Sequence, residues 1–159
     1  GISTARAARE GVDITEVLAL FKKDMANAKL LVGHNIEFDI NIIGAELLRK
    51  SLNTDVLLNT SKVDTGIASI EYCQLAGGIG GKLKMPRLVE LHEKLFGKDF
   101  GDAHDASYDV AATARCFFGL MKVRVVKPLD GLSPDEVEYE EPELEAGNST
   151  KREKRKKSD

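Results

Sequence analysis

A chain of 159 residues with 42% hydrophobic and 31% charged side chains is long enough for one domain with a sizeable core and has an ordinary globular composition. Its net charge of −3 is uneven: the first 132 residues carry 17 acids and 17 bases, so bulk electrostatics make no case for nucleic-acid binding, and any such function must come from a site. No apolar run nears a membrane span or a signal-peptide core, and Cys73 and Cys116, which form no C-x-x-C pair, exclude a zinc cluster and read as reduced core thiols of a cytoplasmic protein.

In chain order, "STARAARE" predicts a short helix closed by Gly11. "DITEVLALFKKDMANA" predicts a second, capped by Asp13 or Thr15, with Val17, Leu18 and Phe21 on one face. "KLLVGHN" is a short apolar strand entering a turn, and "IEFDINIIGAELLRKSL" a strong helix. "SKVDT" predicts a strand end, "GIASIEYCQL" a helix, and "AGGIGGKLKMP" a flexible loop. Pro86 suits the first turn of the helix "RLVELHEKLFG", and "HDASYDVAATARCFFGLMKV" is the last helix. Strands alternating with helices predict an α/β domain over 1–132. Two strands are too few for five helices, and the chain opens on Gly1 close to helical sequence, so the expectation is a sheet whose first strands are absent. From Ser133 the pattern changes: seven acids without a base, then "KREKRKK". Residues 133–159 lack apolar periodicity and read as a disordered acidic-then-basic tail or linker.

The chemistry lies at two helix entrances. In a helix begun near Ile36, Asp39 shares a stripe with Ile42, Ile43 and Glu46; Asp109 aligns likewise with Ala112, Thr113, Cys116 and Phe117. A carboxylate on a core-facing stripe is costly unless paired, capping or bound to a metal. A cap or an ion pair is the plain alternative for Asp39, and a weaker one for Asp109. Each aspartate follows a histidine, His34 or His104. His104 and Asp109 are five residues apart, a turn of about 500° in a regular helix. They converge only if His104 precedes the helix and Asp109 lies within it. Hard oxygen ligands suit Mg²⁺ or Mn²⁺. A pair of such ions stabilises the attacking and leaving oxygens of phosphodiester cleavage, and a neutral histidine nearby can take a proton from water.

These residues carry a resemblance. "LVGHNIEFDINIIGAELL" resembles the second motif of DEDD-type 3′–5′ exonucleases, and "AHDASYDVAATARCF" the third motif in its histidine form. "VDT" and "MPRLVELHEKLFG" lie at the family's expected places, so the likeness spans roughly residues 1 to 125. It is strongest toward proofreading exonucleases, as the epsilon subunit of bacterial DNA polymerase III or a domain fused to its polymerase chain. The resemblance implies a ribonuclease-H-like fold, with a mixed sheet flanked by helices. It also implies a two-metal site of Mg²⁺ or Mn²⁺ acting on a DNA 3′ end, with a polymerase III alpha subunit or fused polymerase as partner and no membrane. Asp109 becomes a direct metal ligand, Asp39 a ligand largely through water, and His104 the general base. Asn35, with His34 and Phe38, contacts the end nucleotide. The family's first motif, Asp-x-Glu on its first strand, has no counterpart here, which implies a fragment or a protein without the reaction. An RNA-end trimming exonuclease and a non-catalytic binding module are the rival readings.

Other signals are weaker. "AGGIGGKL" departs from the phosphate-loop pattern at Ala76 and Leu83. Lys82, Lys84 and Arg87 form either a nucleic-acid contact or a solvated basic loop. His92, among Glu90, Glu93 and Lys94, reads as a surface residue.

Overall fold

A computed structural model describes residues 2–100 and 106–127; His104 and the 133–159 tail lie outside these. Helix α1 (Thr4–Glu10) starts where the Ser3 hydroxyl accepts from Arg6 N, and it buries no residue. Helix α2 (Ile14–Met25) starts at Asp13, whose carboxylate accepts from Thr15 N at 2.7 Å, and it buries Leu18 and Met25. Strand β1 (Leu30–Gly33) leads into α3 (Ile36–Arg49), then α4 (Asp55–Asn59) and strand β2 (Ser61–Asp64). The two strands pair in parallel, Leu30 opposite Ser61 and Gly33 opposite Asp64, a pairing that requires the helical crossover between them. The observed class is thus mixed α/β, mostly helical, with a small parallel sheet.

Alternation along β1 divides the interior. Leu31 joins Leu18, Leu47 and Leu57, the cluster of α2, α3 and α4. Leu30 and Val32 join Leu91, Cys116, Phe117 and Leu120, the cluster beneath α7 (Leu88–Phe96) and α8 (Ala106–Lys122). Helices therefore cover both faces of the strand pair. Gly119 lets α7 approach α8: a Cβ there would lie 3.0 Å from Phe96 and 3.2 Å from Leu95. Both cysteines are free and buried, and burial pushes the Cys116 thiol up to about 12. No helix among the described residues is long and apolar enough to cross a membrane.

Several expectations change. The helix expected over "GIASIEYCQL" is two short ones, α5 (Thr65–Ala68) and α6 (Ile70–Cys73). The Ser69 hydroxyl donates to Thr65 O at 2.6 Å and Gly66 O at 3.1 Å, a side-chain bond that competes with the helical ladder. The loop expected to be flexible over 76–86 starts as a hairpin, with Lys84 N donating to Leu75 O at 2.8 Å and Gly78 N to Lys82 O at 2.9 Å. Gly78 permits that closure, since a Cβ would meet the Leu83 carbonyl oxygen at 2.5 Å. His92 is not a surface residue; it is 0% exposed. Its polar neighbours in sequence lie on other faces of α7, while the imidazole packs between α8 and the chain after α7.

Among the described residues β1 pairs along one edge only, and Leu20, Ile42 and Val110 are exposed. An open strand edge beside apolar surface templates association. The isolated chain should therefore self-associate as its concentration rises. Sedimentation velocity tests this, and a monomer at every concentration would contradict it.

Candidate functional site

The ends of β1 and β2 are held by one carboxylate. Asp64 accepts from Asn35 N at 3.1 Å and Ile36 N at 3.0 Å, at the start of α3. It also accepts from Gly66 N at 2.8 Å and Ile67 N at 3.1 Å, at the start of α5. A single side chain thus serves two helix N-termini, where amides otherwise lack partners. Asp64→Ala strands these donors and should cost about 2–4 kcal/mol, while Asp64→Asn, which keeps one acceptor oxygen, should cost less. Urea unfolding of both variants measures the difference.

His34 follows β1. Its Nε2 donates to the Pro86 carbonyl at 2.9 Å, and its Nδ1 lies 3.0 Å from the Thr65 hydroxyl. Thr65 is fully buried, with its hydroxyl 3.1 Å from the Gly33 carbonyl. The ring thereby braces β1, α5 and the segment before α7, with both nitrogens engaged within the chain. Asn35 takes a left-handed conformation, φ 62° and ψ 46°, which asparagine tolerates better than most residues. This turn lets the chain leave β1 and enter α3 at once.

Beyond that turn lies a cavity of about 890 Å³. Val32, His34 and Asp39 line it from β1 and α3, Asp109 and Phe117 from α8, and Arg87 from the start of α7. The fold thus brings together Asp39, Asp109 and His34 of the residues singled out in the sequence. It does not bring Phe38, which is 62% exposed and outside the lining, and Asn35 is likewise exposed outside it.

Asp39 corrects one expectation: it is exposed, as is Ile42 on its stripe. The buried residues of α3 are Ile36 and Leu47, off the Asp39 stripe, so burial supplies no argument for metal there. Asp109 is half-buried in the first turn of α8, with Ala112, Cys116 and Phe117 of its stripe buried. Among the described residues neither carboxylate has a hydrogen-bond or ion-pair partner. Two carboxylates from different helices that line one cavity, neither with an ion-pair partner among the described residues, are chemically suited to hold a hard divalent ion. His104 lies outside the described residues.

Two further groups shape the walls. Glu90 is pushed down to about 2, first by Lys84, whose Nζ lies 2.7 Å away, then by the Arg87 amide. His92 donates from Nδ1 to Lys98 O at 2.8 Å and accepts at Nε2 from Arg115 Nη1 at 2.9 Å. Its ring lies 4.7 Å from Phe96 and 5.2 Å from Phe100. Burial lowers the His92 pKa, and an accepting Nε2 requires the neutral ring. This contact fixes residues 98–100, two of which, Asp99 and Phe100, line the cavity. The sequence reading missed Asp64, Thr65 and Asp99. The signal for the first two was present: Asp-Thr-Gly directly after a strand is a helix-cap pattern.

No protein-family model matches the chain, and no solved structure matches it.

Proposed function

We propose that this chain is part of a metal-dependent 3′–5′ exonuclease domain of the DEDD histidine subclass, with a ribonuclease-H-like fold, acting on DNA 3′ ends in replication proofreading. One observation supports it most: Asp39 and Asp109, the acidic positions of the two motifs, lie 70 residues apart in sequence (109 − 39), yet line one cavity, with no ion-pair partner for either among the described residues. Mg²⁺ or Mn²⁺ held there would supply charge stabilisation to the attacked phosphate. His104, five residues before Asp109, accepts the proton of the attacking water. Val32, Phe117 and Leu88 give the cavity apolar walls against which a terminal base can stack. The edge of β1 that is unpaired among the described residues suits a further strand bearing the Asp-x-Glu pair that would complete the ligand set. A polymerase III alpha subunit, or a fused polymerase chain, would deliver the DNA end.

Mn²⁺ titration followed by electron paramagnetic resonance tests the ligand assignment. Asp109→Asn should weaken binding most and Asp39→Asn less; equal binding by both variants and the wild type would refute it. Cleavage of matched DNA and RNA ends separates proofreading from RNA-end trimming.

A further inference from the structure

We propose that Arg87 is the side chain that grips a backbone phosphate of the nucleic acid in this cavity, an inference that rests on the exonuclease reading above. The described lining holds three carboxylates, Asp39, Asp99 and Asp109, and a single permanent cation, Arg87. A polyanion entering such a cavity is repelled unless positive charge meets it. A divalent ion at Asp39 and Asp109 serves the phosphate under attack. The neighbouring phosphate needs a cation from the chain, and a guanidinium fork pairs with two phosphate oxygens at once.

The backbone at Arg87 is held from both sides. Pro86 is buried and its carbonyl accepts from His34 at 2.9 Å. The Arg87 amide donates to Glu90 Oε2 at 2.8 Å. Its Cα is thus fixed relative to the end of β1, while its side chain remains 74% exposed. The plainer role is an ion pair with Glu90, whose Oε1 lies 3.3 Å from Arg87 Nη2. That carboxylate already has Lys84 Nζ at 2.7 Å, and a pair with so exposed an arginine contributes little. The same geometry separates the three bases of this segment. Lys84 is engaged by Glu90, and Lys82 belongs to the glycine hairpin, outside the lining. Only Arg87 reaches the cavity.

The test is fluorescence anisotropy of a labelled single-stranded DNA oligonucleotide with the full chain, in Ca²⁺, across a series of salt concentrations. Arg87→Ala should weaken binding about tenfold and flatten the log–log salt dependence by about 0.7, the loss of one phosphate contact on a single strand. Arg87→Lys should keep the salt dependence, and Lys82→Ala should change neither. An Arg87→Ala chain with unaltered affinity and salt dependence would overturn the Arg87 assignment and leave the exonuclease reading standing. A wild-type chain that binds no oligonucleotide at any salt concentration would overturn both.

Discussion

Asp109→Ala should abolish removal of nucleotides from a DNA 3′ end and weaken divalent-metal binding, whereas His104→Ala should lower turnover by roughly 10²–10⁴-fold with metal binding intact. The protein for this comparison carries an Asp-x-Glu strand on the edge of β1 that is unpaired among the described residues, which supplies the remaining ligands of the proposed site. Asp109 stands half-buried above Ala112, Cys116 and Phe117 with no ion-pair partner among the described residues. In the proposed site a bound ion would offset this carboxylate, and alanine would remove the ligand itself. In the proposed mechanism His104 contributes a proton acceptor and no metal bond. Raising the pH should partly restore His104→Ala, since hydroxide replaces the base, and should do nothing for Asp109→Ala. Single-turnover digestion beside a metal titration separates the roles. Loss of metal affinity in His104→Ala as severe as in Asp109→Ala, or full activity in either variant, would contradict them.

The largest effect on stability is expected at His92. The ring is fully buried, serves a carbonyl and a guanidinium, and packs on two phenylalanines. His92→Ala leaves a cavity and removes the ring's bonds to the Lys98 carbonyl and the Arg115 guanidinium, a loss of about 3–5 kcal/mol. The same geometry sets a pH dependence. Burial, opposed by the Lys98 carbonyl and reinforced by Arg115 and Lys98, lowers the folded pKa below the ordinary 6.5, with Asp99 acting the other way. Above that value both states are neutral and the residue adds no slope. As pH falls below it, the unfolded chain takes a proton that the folded chain refuses. Stability then drops by up to about 1.4 kcal/mol per pH unit until the folded pKa is reached. His92→Gln retains a donor and an acceptor but no titrating group, so the difference between the wild-type and His92→Gln curves isolates the effect. Parallel curves from pH 7 to 5 would contradict it.

How much of this was legible from residues alone depends on how local the cause was. The helices over 36–49, 88–96 and 106–122 follow from apolar spacing, and Gly97 ends α7 in the left-handed conformation expected of a glycine stop. Helix α4 escaped because its five residues, DVLLN, are too few to show a period; Leu57 is buried by tertiary packing against α2 and α3. His92 was misread because its polar neighbours resemble a wet face, and only the approach of Arg115, 23 residues on, makes the position interior. Asp39 was misplaced for the converse reason. The shared stripe follows from helical spacing, but that Asp39 and Ile42 face solvent while Ile36 and Leu47 of the same helix are buried has no local signature. The convergence of Asp39 and Asp109 on one cavity was expected through the resemblance, while the engagement of both His34 nitrogens depends on Thr65 and Pro86, 31 and 52 residues away.

The most direct measurement follows a 5′-labelled DNA strand incubated with the strand-completed protein and Mn²⁺. The predicted result is a ladder that shortens one nucleotide at a time from the 3′ end, stops on addition of chelator, and is absent with Asp109→Ala. Internal cleavage, digestion that persists in chelator, or a strand that stays at full length would contradict the assignment of this cavity as a 3′–5′ exonuclease centre.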